Sequence, residues 1–312
     1  MKLKDVEKKA LRMARIIHNN FEQSDIGIIG GTVRKETSEG NDFIRMSDRC
    51  LISREGLCNL NRHRDLQPLL LDEYDISYRL SVETLIKKFP YISYASGLAI
   101  ANPVVRLLMY NIAIDDVYDC TLNDLKDKPR LPVVNWVESE TVSEMYSISL
   151  EDFRAQEKKP NWCLRLSDMA EECDYFARSK DGYYVKLSSD KIAQYLSPTM
   201  SSYAHGIEWD IDFAILTVTA NPLNPKKKIV AAGGNHWLGT LAANALINLV
   251  KKIPQKGISF RNTMESMAWL GEVVEKEELE NFQAIFRVTD DFTLDGNHEI
   301  NVYVTGVFSL PT

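Results

Sequence analysis

The residues with the most chemical promise lie together in Gly233-Gly234-Asn235-His236-Trp237-Leu238-Gly239-Thr240. Glycines let a backbone approach a ligand closely, and the N–H groups at a helix start hold anions. Apolar residues Ile229 to Ala232 precede this block and an amphipathic run follows it, so it reads as a buried strand, a glycine loop and a helix start. In that reading Gly233, Gly234, Asn235, Gly239 and Thr240 contact an anionic ligand. Gly239 falls in the first helical turn, where ordinary helical dihedrals are expected and Gly239→Glu would exclude the ligand while the fold survives. His236, inside the loop, can serve as acid, base or hydrogen-bond donor. No Lys precedes Thr240, which excludes a Walker A loop, and the glycine spacing does not fit GxGxxG. The competing reading gives these glycines a packing role only.

A second loop, Ala95 to Asn102, also joins a strand-like stretch to a helix start. It supplies Ser96, Gly97 and Asn102, with Asn102-Pro103 as a cap and first-turn pair. One turn later Arg106 interrupts an apolar run and offers a guanidinium for carboxylate or phosphate. Gly30-Gly31-Thr32 is a third loop of this kind, and three such loops could converge beyond the carboxyl ends of parallel strands. His205 stands near Glu208, Asp210 and Asp212 as a second candidate base. No metal site is expected: the five histidines are dispersed, and the Asp290 to Asn297 cluster lacks the alternation and closing Glu of a calcium loop. Neither GxSxG nor HExxH occurs.

The first glycine block is similar, over about eight residues, to the Pro-Gly-Gly-x-Gly-Thr loop of the lysine-decarboxylase-like nucleotide-binding fold, which includes phosphoribohydrolases. Here Ala232 stands for the Pro, three more residues separate Gly234 from Gly239, and Ala243 occupies the place of the family's Glu. The resemblance implies a nucleotide-binding loop, and the departures remove the carboxylate on which the hydrolase chemistry depends.

These loops need elements to position them. Residues 3 to 21 carry Leu3, Val6, Ala10, Met13, Ala14, Ile17 and Phe21 at helical spacing, with a basic opposite face. Strands are expected at 25–29, 69–78, 91–96, 211–219, 229–232, 282–289 and 299–309. Helices are expected at 82–89, 102–112, 238–249 and 262–275. Ser179-Lys180-Asp181-Gly182 reads as a hairpin turn, because Gly tolerates positive φ. Strand, glycine loop and helix in repeated order imply an α/β protein with a Rossmann-like or flavodoxin-like, mostly parallel sheet, flanking helices and a C-terminal antiparallel strand pair. The boundaries are an N-terminal helix (1–22), a first α/β half (23–114), an acidic insertion or second lobe (115–190) and a second half with the C-terminal strands (191–312).

Net charge is −7, from 37 Lys and Arg and 44 Asp and Glu. Such a surface repels phosphate polymers, which argues against nucleic acid and anionic membranes as general partners. Residues 115–174 hold fifteen acidic and seven basic side chains, more than the whole chain's negative charge. Neither a secretory leader nor a membrane span is expected from the charged first residues and the lack of a long apolar run, and the five scattered cysteines suit a reducing cytoplasm. The expected function is recognition of an anionic small molecule, a nucleotide or its derivative, by a sensor or effector. The alternatives are a nucleoside or nucleotide hydrolase using His236 with a carboxylate, and a non-catalytic interaction subunit. A cofactor is not indicated by any motif; the N-terminal helix reads first as docked by its apolar stripe with a solvated basic face, the alternative being association through it with a second copy or a partner protein.

The stretch from Asp119 to Lys159 is charged, contains Pro129 and Pro132 and lacks periodicity. Limited proteolysis read by mass spectrometry should cut there first. First cuts within 211–250 would contradict the proposed organisation.

Overall fold

Connection length decides how two strands can pair. Two residues permit only an antiparallel hairpin, whereas a parallel return needs a crossover of a dozen or more. A computed structural model describes residues 3–19, 26–30, 33–36, 42–45, 69–72, 91–95, 110, 130, 133–138, 162–188, 190–192, 211–221, 224–234, 237–249, 257–292 and 298–312. In chain order they form α1 (Leu3–Asn19), β1 (Ile26–Gly30), β2 (Val33–Glu36), β3 (Asp42–Arg45), β4 (Leu69–Asp72), β5 (Tyr91–Ala95), β6 (Val134–Glu138) and β7 (Trp162–Leu166). A single-turn 3-10 helix (Asp168–Glu172) leads to β8 (Tyr175–Arg178), β9 (Tyr184–Leu187), β10 (Ile211–Asn221), β11 (Asn224–Gly234), α2 (Trp237–Asn248), α3 (Phe260–Lys276), β12 (Phe282–Phe292) and β13 (His298–Ser309). The helix expected at 82–89 lies outside the described residues, as does that expected at 102–112 apart from Tyr110, which is buried and makes a β-bridge.

The main sheet has the order β4-β1-β5-β11-β10-β12-β13-β8-β9. From β11 to β9 all six strands are antiparallel, which corrects the Rossmann-like or flavodoxin-like, mostly parallel arrangement expected from the sequence. Two connections account for the difference. β10 and β11 are separated by two residues and pair as a hairpin, Asn221 opposite Asn224. After α2 and α3 the chain re-enters the sheet beside β10, running against it, with Thr217 opposite Gln283. The C-terminal strands therefore lie inside the sheet and not at its border, since β13 takes β8 on its other side. Among the described strands, parallel pairs join only β4, β1 and β5, added along β11, with one isolated parallel bridge at Ile258–Ile300. β8 and β9, from the stretch read as an acidic insertion, enclose Gly182 at φ +84° in the expected turn.

Both sides of the antiparallel block are buried from β11 to β8. One carries Ala214, Leu216, Val230, Phe286, Val288, Val302 and Val304 and packs under the three helices. The other carries Phe213, Ile215, Ile285 and Phe308 and packs against Val133, Val134, Ala170 and Ile192. A polar pair sits on this second side: Gln283 Nε2 donates to Thr217 Oγ1 at 3.1 Å, and Val134 N donates to Gln283 Oε1 at 2.8 Å. The amide thus holds β6 onto the sheet while leaving neither of its own ends unsatisfied.

α1 lies along α3. Its apolar stripe, Val6, Ala10, Met13, Ala14 and Ile17, is buried, and a Cβ on Gly271 would stand 3.0 Å from that of Met13. Lys9 and Arg12 reach Glu272 and Glu275 at 3.1 and 2.6 Å. Lys276 and then Lys9 hold the Glu272 carboxyl below its usual range. These exposed pairs contribute about 0 to 1 kcal/mol each, against roughly 1.5 to 3 kcal/mol for burying a side chain such as Met13 or Ile17. Apolar contact docks the helix; charge sets its orientation.

The first half of β13 has no strand on its outer side among the described residues, and α3 takes that place. Ser266 Oγ donates to the Val302 carbonyl at 2.7 Å and accepts from Val304 N at 3.0 Å. Just before α3, Ser259 N donates to the Ile300 carbonyl and Ile300 N to the Gly257 carbonyl, each at 2.7 Å. Ser266→Ala orphans a buried donor and acceptor together, so unfolding free energy should fall by about 1 to 3 kcal/mol in urea titration. An unchanged midpoint would mean that β13 does not depend on this hydroxyl.

Candidate functional site

Parallel neighbours end on the same side of a sheet. Ile29 of β1 lies opposite Tyr94 of β5, and Tyr94 and Ala95 lie opposite Ala231 and Ala232 of β11. The carboxyl ends at Gly30, Ala95 and Gly233-Gly234 are thus adjacent, and with about 4.8 Å between strands they span roughly 10 Å. β4 and β5 flank β1 on opposite sides, so the order reverses at β1, the kind of point where open sheets leave a crevice. All three glycine loops begin at this end, and α2 starts here as well.

The start of α2 is already served by a carboxylate from its own chain. Asp212, 1% exposed, lies near the beginning of β10, which runs against β11 and brings it to the same end. Its Oδ1 accepts Phe213 N–H at 2.7 Å and its Oδ2 accepts Gly239 N–H at 2.6 Å. A buried carboxylate with two backbone donors does here what an external anion would do at a helix start. Gly239 also has a steric role. A Cβ there would fall 2.1 Å from the Phe213 carbonyl oxygen and 2.9 Å from Gly234 Cα. Helix and strand meet backbone to backbone, and ordinary helical dihedrals would not make room for Gly239→Glu. Substitution at Gly239 therefore reports on this contact.

Gly233 and Gly234 are ladder residues of β11, opposite Ile215 and Ala214. Thr240 lies in α2, its side chain outside the described set. Asn235, His236, Ser96, Gly97, Asn102, Arg106 and His205 fall outside the described residues. Ala243, at the position of the resembled family's Glu, is fully buried in the helical layer. Asp212 is the residue whose role sequence reasoning missed. The available signal was a carboxylate entering an otherwise apolar strand, Phe213 to Leu216, where an unpaired charge would be too costly.

Cys173 holds its proton at neutral pH. Its free thiol is buried and pushed up to about 11, by burial first and then by Glu172 and Asp174. Among the described residues no group of His, Cys, Asp and Glu could hold a metal ion, and no helix is long and apolar enough to cross a membrane. No protein-family model, curated protein or solved structure matches the chain.

Gly239→Ala should lower stability by about 1 to 3 kcal/mol or more, because the added methyl overlaps a carbonyl that the sheet holds in place. Chemical denaturation measures this. A variant as stable as the parent would remove the close contact of α2 with β10.

Proposed function

We propose that this protein binds an anionic small molecule, a nucleotide or nucleotide derivative, and acts as a cytoplasmic sensor or effector. The supporting observation is the shared carboxyl end of β1, β5 and β11, from which all three glycine loops depart beside the start of α2. With the Gly239 N–H given to Asp212, the ligand in this reading lies across the strand ends. It engages the loop through Gly233, Gly234, Asn235, His236 and Thr240, and Ser96, Gly97, Asn102 and Arg106 from the neighbouring loop. The free thiol of Cys173 is compatible with a reducing compartment.

A second reading has one observation in its favour. The steric demand at Gly239 is met wholly by the protein's own backbone, as in an interaction subunit whose glycines serve packing. Hydrolysis by His236 and a carboxylate is the third.

Native mass spectrometry of the purified chain should show mass beyond the polypeptide, released on denaturation as a phosphate-bearing compound. For a sensor, His236→Ala should weaken calorimetric binding of the released compound by about 5- to 150-fold, the loss of one hydrogen bond. For a hydrolase, the same change should lower turnover about 100-fold or more with binding nearly intact. Absence of a retained ligand, together with no heat on titrating ATP, ADP or NAD, would overturn nucleotide recognition and leave the interaction subunit.

A further inference from the structure

Among the described residues β9 ends the sheet, and two of the three exposed large apolar side chains belong to it or adjoin it: Tyr183 at 76% and Val185 at 51%. Ser179 N donates to the Tyr183 carbonyl at 2.7 Å, and Ala177 lies opposite Val185. Bonded and non-bonded pairs alternate in an antiparallel ladder. Tyr183, Val185 and Leu187 therefore direct their backbone groups to β8, and Tyr184 and Lys186 direct theirs outward. A lysine on an edge strand commonly keeps other strands away. Lys186 is drawn back into its own chain: Nζ lies 2.6 Å from Asp174 Oδ2 and 5.8 Å from the centroid of the Phe176 ring. Among the described residues the edge keeps outward backbone groups and an apolar flank, while its lysine is held back towards Asp174 and Phe176.

We propose that β9 pairs antiparallel with β9 of a second copy about a two-fold axis at Val185. Only outward groups can bond, so Tyr184 of each copy pairs with Lys186 of the other. Val185 then meets Val185 on the axis, and Tyr183 meets Leu187. Centring the axis on Lys186 would oppose two ammonium groups. Centring it on Tyr184 would set Lys186 against Gly182, which is in the left-handed turn. The Val185 register is self-complementary: the outward backbone groups of Tyr184 and Lys186 find their counterparts in the second copy, and the exposed apolar side chains of Tyr183 and Val185 meet apolar residues of the same flank. Four residues per strand cannot supply the roughly 1,000 Å² of a stable specific interface, so the expected dimer is a weak, micromolar one.

Light scattering after size exclusion, on the full chain at about 100 µM where micromolar contacts are saturated, should give twice the 35.6 kDa chain mass. Val185→Glu and Val185→Lys each place like charges on the axis and should be monomeric, with unchanged circular dichroism and melting temperature because the position is exposed. Mixing the two variants should restore the dimer as a heterodimer. A monomeric parent, a dimer that persists in either variant, or a mixture that stays monomeric would overturn the pairing.

Discussion

A single buried carboxylate determines where α2 meets the sheet. Asp212 accepts a hydrogen bond from the strand that carries it and another from the first turn of α2, across 27 residues of sequence. Removing that charge from water would be costly without these donors. With them, the same group anchors α2 directly over the β10 backbone, where only glycine fits. Ala242, Ala243 and Leu246 then reach the core beside residues of α1 and α3. The position of α2 on the sheet thus rests on a carboxylate bonded to backbone, while α3 is joined to β13 by the separate contacts of Ser266.

The opposite face uses a neutral version of the same device. Gln283 spans from Thr217 to the N–H of Val134, so a side-chain amide performs the joining that Asp212 performs on the helical face. In both places a polar group in the middle of an apolar layer specifies which segment docks and at what height. Hydrophobic contact alone tolerates sliding, whereas a buried donor or acceptor left unpaired costs about 1 to 3 kcal/mol. Further along, Tyr175 lies where a Cβ of Gly306 would be, so the only side-chain volume at that point comes from the adjacent strand.

Local signals made much of this legible. Helical spacing in α1, the Asp181-Gly182 turn and the two long apolar runs around Asn221 to Asn224 identify elements that the structure contains. Beyond the short β10–β11 connection, pairing direction was not legible, because a strand followed by glycine and helix looks alike whether the chain returns parallel or antiparallel. What separates the cases is which strand lies opposite β10, and Phe282 to Val288 carries no local mark of that partnership. The same limit applies at the candidate site. The glycines at 233, 234 and 239 marked a close backbone approach, but the approaching group at Gly239 is the Phe213 carbonyl, distant in sequence. Asp212 looked like one more member of an acidic cluster, since nothing adjacent to it announces the helix start that it serves.

The packing of α1 on α3 has a consequence in time. Lys9 and its partner Glu272 are 263 residues apart, and the apolar stripe between the two helices closes over the same distance. At roughly 5 to 20 residues per second, a ribosome needs about 13 to 53 seconds to make that span. Through this interval α1 has been synthesised and α3 has not. A basic helix with a bare apolar side is then presented to the cell, and holdase chaperones are suited to cover such a surface until its partner emerges.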